Sequence, residues 1–196
     1  MTKIENANQL YGRAVGSMVL AGFGGIWFGL SLYAKELLNA ATVLYIAAGL
    51  LVLLAGSAKL MGSANRFPRL PENPAGSRAF HWINALQWIA IFVTVTILRR
   101  LHLDAYSISA IACIVGLHFF PLAKLFRNQL HYVTGSAMVA WAAATAGFAP
   151  LEQMQGDAAM GVGVILWASA AITLGMSLLA VRRSSPISTG VRPETA

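Results

Sequence analysis

Four histidines and a few amides are the side chains in this sequence whose types and spacing can do chemistry inside an apolar helix. His81, Asn84 and Gln87, in FHWINALQWIAIF, stand at i, i+3 and i+6, which spreads them over one broad side of a helix. A second group centres on His118. Pro121 follows it by three residues, and proline has no N–H for the Leu117 carbonyl, so a kink is predicted beside the imidazole. His131, with Tyr132 and Thr134, opens the next apolar stretch. Polar and ionisable groups inside a membrane span are costly, and they face the bundle interior or a watery cavity. The candidate cavity residues are therefore His118, Gln87, Asn84, His81 and His131, with His118 leading. The competing expectation is that the same side chains are hydrogen-bond glue between helices. His81, at the edge of its stretch, needs only hydration. Thr173 and Ser177 are expected to bond back to their own helix.

Other chemistries lack their residues. No Asp or Glu falls within an apolar stretch, which argues against a carboxylate proton relay or an acidic sodium site. There is no HExxH, no GxSxG and no phosphate-cradling glycine loop with its lysine. Ser107 and Ser136 have no partnered base that the sequence reveals. A haem held by two histidines needs ligands facing each other at one depth, and only His118 is securely inside a span. The single cysteine, Cys113, excludes an intramolecular disulfide and a thiolate cluster, and reads as a small core hydrophobe. No metal and no cofactor are expected, and the chain reads more readily as a non-enzyme.

The elements that must position these residues follow from composition. Of 196 residues, 57% are hydrophobic and 11% charged, against roughly 25% charged in an ordinary soluble domain. Six stretches free of acidic and basic residues, at approximately 14–34, 40–58, 79–98, 105–123, 132–151 and 158–181, have the length a bilayer span requires. Between them lie AKELLN, the long KLMGSANRFPRLPENPAGSR, RRLHLD, KLFRNQ and LEQMQGD, all read as loops. The long one carries Pro68, Pro71 and Pro74 and is the one real linker. The expected fold is all-α, a six-span polytopic membrane protein in which 1–196 form a single transmembrane domain. Residues 1–12 lack the basic-then-apolar order of a cleaved signal peptide, and none is expected.

Assigning the loops alternately to the two sides predicts orientation. One side holds Lys3, Arg13, Lys59, Arg66, Arg69, Arg78, Lys124, Arg127, Arg182, Arg183 and Arg192; the other holds Lys35, Arg99 and Arg100. That asymmetry puts both termini in the cytoplasm, with Glu36, Asp104, Glu152 and Asp157 outside. Gln87 then lies roughly 10 Å below the cytoplasmic end of its span, and His118, six residues before Lys124, at about the same depth, so the two can meet. The formal net charge of +7 records orientation and contact with anionic lipid rather than nucleic acid.

Packing features are also legible. Gly25 and Gly29 form a GxxxG pair expected to let helices approach closely. Trp27, Trp82, Trp88, Trp141 and Trp167 are divided between packing and the interfacial belt. IAAGLLVLLAGSAKL at 46–60 aligns with IACIVGLHFFPLAKL at 111–125 without gaps, as a duplicated helical hairpin would, although apolar helices share residues cheaply.

At VGLHFFPLAKLF, residues 115–126, the chain resembles a segment of small, functionally uncharacterised polytopic membrane proteins of bacteria. The resemblance covers spans three to five. It implies a bacterial inner-membrane protein with 116–124 as its signature region, and implies no activity. The first functional expectation is a small transporter or channel for a polar or neutral solute, working as a homo-oligomer because six short helices enclose little space. The second is a non-catalytic membrane scaffold or accessory subunit, whose basic segment 59–80 meets a partner or anionic lipid. An intramembrane enzyme or haem protein comes third.

Overall fold

The computed structural model describes residues 6–69, 71 and 74–183, and among them every regular element is helical. The elements are α1 (Ala7–Ala34), α2 (Ala40–Ala64), α3 (Pro74–Arg100), a 3-10 turn (Asp104–Tyr106), α4 (Ser107–Phe126), α5 (Gln129–Phe148) and α6 (Leu151–Arg183). Five of them, α1, α2, α3, α4 and α6, are long and apolar enough to cross a membrane. At 20 residues, α5 reaches about 30 Å, spanning length, with more of its surface in small and hydroxyl side chains. Lys3 and Arg192 lie outside the described residues.

Local sequence sets the ends. Asn6 caps α1 by accepting from Gln9 N at 3.0 Å, and Asn39 and Thr42 close a reciprocal capping box at the start of α2. Three short connections each pass through a left-handed non-glycine residue, Glu36 (φ 56°), His102 (φ 57°) and Arg127 (φ 49°). Asn128 then caps α5 by accepting from Leu130 N at 3.1 Å.

Two expected loops are shorter than the sequence suggested. LEQMQGD is not a loop: α6 begins at Leu151, and Pro150 accepts from both Gln153 N and Met154 N at 2.9 Å. Those seven residues contain no strong breaker beyond one glycine, so the helix continues into the polar zone. The segment 59–80 is likewise mostly helical. Lys59 belongs to α2, and Pro74 begins α3, where a missing N–H costs nothing.

The α6 helix runs through the middle of the bundle and packs on α1, α2, α4 and α5. The α1–α2 hairpin covers one side, α4 and α5 the other, and α3 packs mainly on α4. One apolar cluster joins α1, α4, α5 and α6 through Leu20, Trp27, Phe119, Met138 and Leu166. A second joins α1, α2 and α6 through Leu10, Ala14, Leu60 and Leu174. No residue in the apolar part of α3 is buried, and Trp82, Leu86, Trp88 and Phe92 point outward.

The expected close packing at Gly25 and Gly29 is not found. A Cβ at Gly29 would meet nothing within 4 Å, and one at Gly25 only the Ile46 side chain at 3.7 Å. Both glycines face an open groove between α1 and α2, because a motif fixes a face of a helix without saying what covers it. Close approach occurs instead between α4 and α5, where a Cβ on Gly116 would lie 2.9 Å from the Gly135 carbonyl oxygen. Gly24 and Gly49 accept the Trp167 indole between them. Trp27 is buried, whereas Trp82 and Trp88 are exposed on α3.

Candidate functional site

The start of α3, the second half of α4 and the start of α5 converge at one end of the bundle. There the Phe80 and Phe126 rings lie 5.9 Å apart, Phe126 and His131 6.3 Å, and Phe119 and His131 5.7 Å. His118 is half-buried, stands 6.2 Å from the Phe119 ring, and lies against the main chain of α3 near Ile83. The α4 helix passes through Pro121 as a single element.

The structure brings His118 and His131 into one aromatic neighbourhood and treats the other candidates differently. Asn84 turns to its own helix, donating to the Phe80 carbonyl at 2.8 Å. Gln87 lies one turn beyond Ile83, half-buried, and is not hydrogen-bonded to His118. His81 is exposed beside Phe80, 6.0 Å between ring centres. His131 Nε2 is 3.4 Å from Asn128 Nδ2, while its Nδ1 is buried with no partner. Aromatic rings, Phe119 and Phe126 among them, flank these imidazoles. Among the described residues no group of three or more His, Cys, Asp or Glu side chains is placed to hold a metal.

Polar contacts that the sequence did not single out join the helices. Ser31 Oγ donates to the Gly156 carbonyl at 2.7 Å, Thr134 and Ser169 hydroxyls meet at 2.7 Å, and Ser109 and Thr145 at 3.2 Å. Trp167 Nε1 donates to the Ala21 carbonyl at 2.9 Å and Trp141 Nε1 to that of Asp157 at 3.0 Å. Thr173 bonds back to Ser169 O at 2.8 Å, as expected. Ser177 does not: its hydroxyl is buried without a partner. Ser107 stands at the start of α4 and Ser136 is exposed, and neither is bonded to a histidine.

Two grooves lie on the outside of the bundle. An apolar one of about 350 Å³ runs between α1 and α2 past Gly22, Gly25, Gly29, Val43 and Ile46. A basic one of about 230 Å³ lies between the C-terminal ends of α2 and α6, lined by Lys59, Ser63, Arg66, Leu178, Val181 and Arg182. In sequence its only trace is the i, i+4, i+7 spacing of Lys59, Ser63 and Arg66, which puts them on one face; Arg182 comes from the far end of the chain.

No protein-family model matches the chain, and no curated protein and no solved structure is significantly similar to it.

Proposed function

We propose that the chain is a non-catalytic membrane scaffold or accessory subunit, with six spans and both termini in the cytoplasm of a bacterial cell. The observation that carries this reading is where the intramembrane polar groups point. Ser31, Ser109, Thr134 and Asn84 are hydrogen-bonded to a neighbouring helix or to their own backbone, and the two grooves described above lie on the outside of the bundle. Side chains used this way hold helices in register.

The orientation is supported by charge. Arg13, Lys59, Arg66, Arg69, Arg78, Lys124, Arg127, Arg182 and Arg183 fall at one end of the alternating helices. Of the three cations at the other end, Lys35 pairs with Asp157 and Arg99 lies 3.9 Å from Asp104. Nine described cations at one end against three at the other is the asymmetry that the positive-inside rule reads. The resemblance at 115–126 supports the bacterial inner membrane.

A small transporter or channel is the second reading. Gln87 and His131 Nδ1, polar groups without hydrogen bonds to other described residues, are the observations on its side. Light-scattering measurements on proteoliposomes challenged with glycerol or urea separate the two. A scaffold gives the rate of empty liposomes; solute flux that falls on His118→Ala or Gln87→Leu makes the protein a conduit.

A further inference from the structure

We propose that the basic groove between the C-terminal ends of α2 and α6 binds the phosphate of an anionic phospholipid headgroup. The inference rests on the chain spanning a membrane with its basic end at an anionic leaflet; it does not depend on the scaffold role.

Three cations converge from two elements distant in sequence: Lys59 and Arg66 from the end of α2 and the turn after it, and Arg182 from the last turn of α6. The turn keeps Arg66 over the groove, since its N–H donates to the Ser63 carbonyl at 3.3 Å. No carboxylate pairs with any of the three among the described residues, and both described ion pairs lie at the opposite end. Like charges gathered without counter-ions repel, and a bound anion relieves that cost. Compensation of the helix dipole explains Arg182 but not the other two. The last turn of α2 holds no basic residue, Lys59 lies a turn further back, and Arg66 lies beyond the helix.

The groove is also amphipathic, which favours a lipid over a free anion. Leu178 and Val181 form its apolar wall. Three and seven residues back from Leu178, on the same face of α6, Gly175 and Ala171 are exposed, and a Cβ at Gly175 would meet nothing within 4 Å. An acyl chain leaving a headgroup in the groove has a smooth strip to follow into the bilayer. The Ser63 hydroxyl, which donates to the Lys59 carbonyl at 3.0 Å, can turn to a phosphate oxygen.

The test is native mass spectrometry of the purified full chain in neutral detergent, offered phosphatidylglycerol and phosphatidylcholine with identical acyl chains. The protein should retain phosphatidylglycerol in preference, and the triple substitution K59Q/R66Q/R182Q should reduce that preference on the order of a hundredfold, roughly fivefold for each lost charge. A charge-matched control at the same end, R78Q/K124Q/R127Q, should keep it. An equal loss in the control, or no loss in the site triple, overturns the proposal, as does binding of inorganic phosphate without any preference between the lipids. Should the triple variant melt early, R66Q alone carries the test, with a roughly fivefold loss expected. Extraction separates this failure from failure of the membrane reading: a protein released from membranes by alkaline carbonate is not a spanning bundle, whereas one retained but indifferent to headgroup merely lacks this site.

Discussion

Lys35 Nζ and Asp157 Oδ1 meet at 2.5 Å across the end of the bundle opposite the basic one, each side chain about one-third exposed. The pair ties the C-terminus of α1 to the first turns of α6, where Ser31 and Trp141 also bond to Gly156 and Asp157. Partial exposure screens it, so K35A or D157N should each cost about 0.5–1 kcal/mol in thermal unfolding in detergent. The double variant should lose less than the sum. Strict additivity would mean that the two charges do not interact.

Helix contact in lipid depends on close approach rather than on hydrophobic drive. Gly116 and Gly135 supply it between α4 and α5, with a Cβ on Gly135 placed 2.6 Å from the Gly116 carbonyl oxygen. G116A or G135A should therefore destabilise by about 1–3 kcal/mol as the helices are pushed apart. G29A, facing open space, should stay within about 0.5 kcal/mol of the parent. The reverse order, measured by denaturation, would show that the Gly25–Gly29 face is the packed one.

Glu36 holds φ at 56° in the turn between α1 and α2, a region where a Cβ crowds the following carbonyl. E36G removes that crowding and gives back part of the gain as backbone entropy. A rise in stability of about 0.5–1 kcal/mol is expected, read as an upward shift of the melting temperature. A fall would mean that the Glu36 side chain stabilises the turn by more than its backbone costs.

The helices were legible because charge-free stretches of spanning length leave little choice, and α3, α4 and α5 lie close to the stretches the charges delimit, whereas α1 starts at Ala7 and α2 runs on to Ala64, past Arg13 and Lys59. The start of α6 was not, since LEQMQGD looks like a loop by polarity and becomes helix because Pro150 supplies the break just before it. The neighbour of His118 was hidden for a different reason. It is the main chain of α3 near Ile83, a feature every residue carries, so only the register of α3 against α4 selects it. The basic groove was hidden by distance along the chain: Arg182 and Lys59 meet only because α6 returns beside α2.

The most direct measurement is water access at His118. In a C113S background, single cysteines at 118 and 87, with one at the exposed position 66 as the positive control, are treated in inside-out membrane vesicles with a membrane-impermeant maleimide, which reacts only where water and reagent reach the thiol from the cytoplasmic face. A bundle whose polar residues hold helices together predicts labelling at 66 and none at 118 or 87. Labelling at 118 and 87, blocked by a polar solute, would contradict it and establish a path through the protein.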